Sequence, residues 1–244
     1  DKVVILDLRL FRIKSFGAGN GVALVVSLGE FGLLFAIPLF LQATRGYDAL
    51  QTGFILLALA LGSFAASGAG APLSQRLGPV RVLQIGMVLE VIGIVGLGII
   101  ISETITGWGM APWLFIYGMG VGFATAQLTG VILSEVPVAE SGQASAVQST
   151  SRQVGAAIGT ALIGTTLLIG LGSTAGHLED RGIPAAQAEQ VSDAVANSAG
   201  QAIPSLAAQP NGEELVAGAS EGFVTAIKSV SIIAGIFVFL GLLL

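Results

Sequence analysis

The sequence has no cysteine, one histidine and few charges: Lys and Arg number 10 and Asp and Glu 15 in 244 residues, or 10% charged. Soluble domains carry about a quarter. Without cysteine, disulfide frameworks, thiol catalysis, thiolate zinc sites and iron–sulfur clusters are excluded. A lone His177 leaves almost no room for a hydrolytic metal site. A soluble fold of this length needs a charged shell that these side chains cannot supply, so a soluble enzyme, a DNA-binding domain and a disordered chain are excluded as well. The basic residues form no cluster, and nucleic acid is not expected as a partner. What the chain does have is 53% hydrophobic side chains, 35 glycines and a mean hydropathy of +0.87. That is the composition of a membrane protein.

The net charge of -5 is unevenly placed. Between residues 172 and 221 Glu179, Asp180, Glu189, Asp193, Glu213, Glu214 and Glu221 face only Arg181, so this stretch holds -6 and the remainder +1. The acidity belongs to one loop. The chain opens on Asp1 without a charged, signal-like lead and closes in the apolar run Leu242, Leu243, Leu244, ends expected of a piece cut from a longer protein.

A bilayer core of about 30 Å requires roughly 20 apolar residues per helix. Six segments meet that length: 16–42, 50–71, 80–101, 111–134, 144–170 and 222–244. No charge falls between Asp48 and Arg76 or between Glu103 and Glu135, and the runs are too long and too uniform for membrane strands. Lys2, Arg9, Arg12, Lys14, Arg76, Arg81 and Arg152 fall on one side, and Arg45, Arg181 and Lys228 on the other. By the positive-inside rule, the 1–15 lead-in is cytoplasmic and the 171–221 loop extracytoplasmic. Pro184 with Val191 and Val195 predicts a short external helix or helical hairpin within 184–199; a mobile acidic loop is the alternative. Six helices divide into two triplets of opposite topology, the inverted repeat on which many secondary transporters are built.

Polar residues inside these segments are the candidate sites. Glu30 lies about 21 Å into the first segment, near the midplane. An ionised carboxylate there is costly unless paired or hydrated, which suits a proton carrier or a counter-ion; a hydrogen-bonded structural acid is the alternative. Asn20, Ser27 and Glu30 fall within one sector of the helix as a polar stripe. In the fourth segment Trp113, Tyr117, Gly120, Ala124 and Gln127 share a face, an aromatic wall suited to flat apolar or cationic compounds unless Trp113 is an interfacial anchor. Glu90 lies mid-helix beside Gly86 and Gly93, a second candidate for proton coupling or an acid satisfied at a close helix contact. Arg152 is shallow enough to snorkel or to pair with Glu135 or Glu140. Gly118 with Gly122, and Gly155 with Gly159, carry small-residue spacing for close helix packing. His177 reads as a solvated loop residue. No Ser-His pair, His-Glu-x-x-His helix or paired Asp supports an embedded enzyme.

Three stretches carry a resemblance: Pro38-Leu39-Phe40-Leu41-Gln42 with Gly46 and Gly53; the run from Pro72 through Gln75, Arg76, Gly78 and Arg81; and Gly142-Gln143-Ala144-Ser145 with Arg152, Gln153, Gly155 and Gly159. Together they resemble the C-terminal half of a major facilitator superfamily transporter of the fourteen-helix drug and proton antiporter family. The second is similar to the loop signature Gly-x-Leu-x-Asp-Arg-x-Gly-x-Arg, with Ala71 replacing its first glycine and Gln75 its acid, which weakens the charge-paired gate. Ala58 stands where relatives often have proline. The resemblance implies half of a major facilitator fold, an all-α bundle of six transmembrane helices in a 3+3 inverted repeat. It also implies a proton-coupled exporter of small amphipathic or cationic compounds that works by alternating access in the cell membrane. Gln75, Arg76, Gly78, Arg81, Arg152 and Gly155 would then be gating or structural positions, Glu30 and Glu90 the coupling acids, and the first and fourth helices the cavity walls. The energy source would be the proton gradient, with no cofactor, and the partners the bilayer and an N-terminal half. A lipid-binding or scaffolding bundle is the alternative.

Overall fold

The structure, a computed structural model, describes residues 8–244; Lys2 and the rest of the first seven residues of the lead-in lie outside them. Six long helices carry the fold: α1 (Lys14–Arg45), α2 (Ala49–Leu77), α3 (Pro79–Ile100), α4 (Gly107–Leu133), α5 (Ser141–Gly172) and α9 (Gly212–Leu243). Each is long and apolar enough to cross a membrane. A 3₁₀ turn over Leu8–Arg12 precedes α1, held by the buried Leu10.

The helix ends follow local chemistry. Gly46 takes the left-handed conformation, φ 65°, and its N–H closes α1 on the Leu41 carbonyl. Two residues on, the Asp48 carboxylate accepts from Gln51 N at 2.7 Å while the Gln51 amide oxygen accepts from Asp48 N at 3.1 Å, a reciprocal cap that starts α2. Gly78, φ 87°, makes the turn from α2 to α3, with Pro79 at the first position of the new helix. Gly78 is thus a backbone requirement. Gln75, Arg76 and Arg81 are exposed around this turn, and no ion pair among the described residues involves either arginine.

Glycines set how the helices approach. A Cβ at Gly118 or Gly122 would collide with the Leu59 or Ser63 carbonyl of α2, and one at Gly155 or Gly159 with the Leu24 or Leu28 carbonyl of α1. These are the close approaches that small residues allow between membrane helices. Exchanging the triplet α1–α3 with α4, α5 and α9 turns the α1–α5 crossing into the α4–α2 crossing, the relation expected of a 3+3 repeat. Along α3, Gly86, Gly93 and Gly96 seat Gly120, Tyr117 and Trp113 of α4.

The 171–221 stretch is not one loop: α5 runs to Gly172 and α9 begins at Gly212, before the expected 222, and between them α6 (Thr174–Asp180), α7 (Ala185–Asn197) and α8 (Ile203–Leu206) form a folded helical cap. Leu178, Val191, Val195, Ile203 and Leu206 are buried in the main core, and Ser192 donates to the Gly172 carbonyl at 3.0 Å. The apolar face of α7 packs against the bundle, so the region is helical and docked, contrary to the mobile-loop alternative. His177 is half-exposed on the cap, its Nδ1 3.9 Å from Glu221, to which Arg181 donates two hydrogen bonds of 2.6 and 3.2 Å. Burial, then the Glu221 carboxylate, hold the Glu103 carboxyl of the α3–α4 connection above the usual carboxylate range, with Arg181 opposing.

Three crossings, α3, α4 and α5, separate the exposed Gln75 from the exposed Ala208. In the naturally cysteine-free chain, Gln75→Cys is therefore expected to react with a membrane-impermeant maleimide only after permeabilisation, and Ala208→Cys in intact cells. Labelling of both from one side would overturn the topology.

Candidate functional site

Four helices converge midway along the bundle. Glu30 of α1 is held between α5 and α4: Arg152 Nη2 lies 3.7 Å from its Oε2, and the Tyr117 hydroxyl donates to its main-chain carbonyl at 3.3 Å. Glu90 of α3 is fully buried against Gly120, and neither of its carboxylate oxygens has a hydrogen-bond partner among the described residues. Two acids, one guanidinium and one phenol thus share a small volume.

Several of the expected cavity positions are turned inward. Asn20 and Ser27 are buried; Asn20 Nδ2 donates to Phe16 O at 2.8 Å, satisfying its own helix. Tyr117, at 0% exposure, packs on Gly93, and Trp113 packs on Gly96. Gln127 is buried with its amide nitrogen toward Gly70 of α2. The aromatic face of α4 is therefore a helix contact with α3 and α1, and neither the α1 stripe nor the α4 wall is an open surface of this bundle. The same packing corrects two further expectations. Arg152 pairs with Glu30 and not with Glu135 or Glu140; Glu135 instead accepts from Ser15 N at 3.4 Å. Glu90, expected to be satisfied at its helix contact, is not: Gly120 packs against its main-chain nitrogen and Cγ, and neither carboxylate oxygen finds a donor among the described residues.

The open surface lies beside Arg152. Phe31, Ser149, Arg152, Gln153 and Ala156 line a groove of about 330 Å³ between α1 and α5. Phe31, next to Glu30 in the chain, is 39% exposed, and Phe35, one turn on, is 40% exposed. The Arg152 side chain is 24% exposed and that of Glu30 10%, so the guanidinium stands at the groove and the carboxylate behind it. Gln148 Nε2 donates to Thr129 Oγ1 at 2.7 Å, joining α5 to α4 one turn before Arg152. A larger groove of about 420 Å³, lined by Phe11, Leu24, Val147, Val154 and their neighbours, contains no charged side chain.

The sequence contains a signal for this surface. Ser149, Arg152, Gln153 and Ala156 recur at i, i+3, i+4 and i+7 on one helical face, within the uninterrupted polar run 148–153 in the first half of α5. Phe31 is masked by its neighbour: adjacent residues lie about 100° apart, so the helical face defined by Glu30 leaves it out.

The family model for the Major Facilitator Superfamily matches residues 6–160. The chain is 27% identical to the multidrug efflux pump LfrA of Mycolicibacterium smegmatis, over 96% of this chain and 45% of that protein. It is 29% identical to a probable actinorhodin transporter of Streptomyces coelicolor, over 76% of this chain and 32% of the relative. It is also 29% identical to the tetracenomycin C resistance and export protein of Streptomyces glaucescens, over 67% of this chain and 30% of the relative. The chain spans less than half the length of these curated relatives.

Proposed function

Because this chain belongs to the Major Facilitator Superfamily, we propose that it is one six-helix bundle of a proton-coupled exporter of amphipathic drugs that works by alternating access against a second bundle. The names of its relatives, a multidrug efflux pump and two exporters of antibiotic compounds, support export. The observation that carries the coupling is the Glu30–Arg152 pair, which bridges α1 and α5 at the edge of an open groove inside the membrane-spanning part. An ion pair at that depth is retained at a cost in desolvation, and intramembrane ionisable residues mark proton and substrate pathways.

In this reading Glu30 alternates between two states. Paired with Arg152, it is a carboxylate whose charge is balanced. Separated from Arg152, it holds a proton, because a bare carboxylate in low-dielectric surroundings is far less stable than the acid. Rocking of the bundle against its partner changes what faces the groove at Arg152, and so exchanges the two states. Glu90 is the second acid of the same network, reached across Tyr117 and Gly120.

The test is uptake of a fluorescent amphipathic compound into inverted vesicles containing the complete protein. Accumulation is expected on energisation and should collapse with a protonophore. Uptake unchanged by the protonophore would remove the coupling. Absence of any uptake, with the protein folded, would favour a non-transporting lipid-binding or scaffolding bundle.

A further inference from the structure

Arg152 has more hydrogen-bonding capacity than the bundle uses. A guanidinium offers five N–H donors in a planar fork. Among the described residues Arg152 donates no hydrogen bond, and its one ion-pair contact, to Glu30, is 3.7 Å long, beyond hydrogen-bond range. The unused donors stand at the groove. Around them are the exposed face of Phe31, the Ser149 hydroxyl, the Gln153 amide and the small Ala156, which leaves floor space. The aromatic residues from which a preference for cations was expected, Tyr117 and Trp113, pack away from it.

Resting on the exporter reading above, we infer that this groove binds flat aromatic compounds bearing an acidic oxygen, a carboxylate or an ionised phenol, with the oxygen on Arg152 and the ring system against Phe31. Each part has its partner. The guanidinium fork matches a carboxylate in two-point geometry, and a hydrogen bond between charged partners is about twice as strong as a neutral one. Phe31 offers an offset or edge-on ring contact, while Gln153, whose Nε2 donates to Ser149 Oγ at 3.2 Å, keeps its amide oxygen, and Ser149 its O–H, for further ring substituents. A cation in the same place would face the guanidinium directly, and Glu30 lies behind it.

The arrangement also ties binding to the coupling acid. A substrate oxygen and the Glu30 carboxylate compete for one guanidinium, so loading the groove releases Glu30 from its counter-ion. No covalent step is involved. Arg152 is then the residue that sets charge specificity, and Glu30 senses occupancy through it.

The experiment compares two probes that differ only in charge, pyrene carrying a butanoate chain and pyrene carrying a butyl-trimethylammonium chain. Each is titrated against the complete purified protein by fluorescence quenching. The wild type is expected to bind the butanoate at least about tenfold more tightly. Arg152→Gln should abolish that preference by weakening the butanoate without weakening the ammonium probe, and Arg152→Lys should retain part of it. Ser149→Asp, which sets a competing carboxylate one helical turn from Arg152, should weaken the butanoate alone; it keeps the inference testable if Arg152→Gln fails to fold. Equal binding of the two probes by the wild type, preference for the ammonium, or equal loss of both in Arg152→Gln would overturn the inference. Because binding is read without a gradient, anionic preference in a protein that accumulates nothing would support this site and sink the exporter reading separately.

Discussion

Glu30→Gln is expected to abolish accumulation against a gradient, bringing the internal-to-external ratio of substrate to about unity, while leaving substrate exchange across the vesicle membrane measurable. Glutamine keeps the size of the side chain and an oxygen that faces Arg152, 3.7 Å away in the wild type. What it lacks is the charge that the guanidinium balances and the proton that the acid carries. A structural acid would tolerate the change. The informative partner is Glu90, which is fully buried with both oxygens unpartnered among the described residues. A buried polar group without a hydrogen bond costs about 1 to 3 kcal/mol, so Glu90→Met, close in volume and wholly apolar, should raise the melting temperature. Lower stability in that variant would show that Glu90 has a structural partner. If Glu90→Gln abolishes accumulation and Glu30→Gln does not, the two acids have exchanged roles, and full activity in both would place coupling elsewhere.

Gly118→Leu is expected to yield no folded protein, and Gly159→Leu the same. At both positions the nearest obstacle is a backbone carbonyl, Leu59 O on α2 and Leu28 O on α1, which cannot rotate aside as a side chain can. The helices must separate, losing van der Waals contact along the whole crossing. Inserting even one or two methylenes into a tight contact costs about 1 to 3 kcal/mol, and a leucine inserts four carbons against main chain. Gly130→Leu is the control. It lies in the same helix as Gly118, but a Cβ there meets nothing within 4 Å, so expression and thermal stability should stay near wild type. Size-exclusion profiles of the three variants decide the matter, and a monodisperse Gly118→Leu protein would mean that α2 and α4 are more loosely joined than their geometry indicates.

These two predictions draw on different layers of information. That the chain makes six membrane helices is legible along the sequence, because a bilayer imposes a length on each apolar run and an asymmetry on the basic residues between them. The small-residue pairs at 118/122 and 155/159 are legible for the same reason: four-residue spacing places two glycines on one helical face whatever lies opposite. Depth is legible too, so Glu30, Glu90 and Arg152 are recognisable as residues that need partners. The partner itself is not. A helical wheel gives the direction of a side chain relative to its own axis and says nothing of whether that direction leads to another helix, to lipid or to an open groove. Asn20, Ser27, Tyr117 and Gln127 formed convincing polar or aromatic faces, and packing turned those faces into the bundle. Arg152 had acids nearby in sequence at Glu135 and Glu140, yet its partner is Glu30 on another helix, because Gly155 and Gly159 draw α5 onto α1 and place the guanidinium level with that carboxylate. Periodicity and length are properties of one segment and can be read from it, whereas the pairing of charges and the exposure of a face depend on how two segments cross, which only close packing of the folded chain decides.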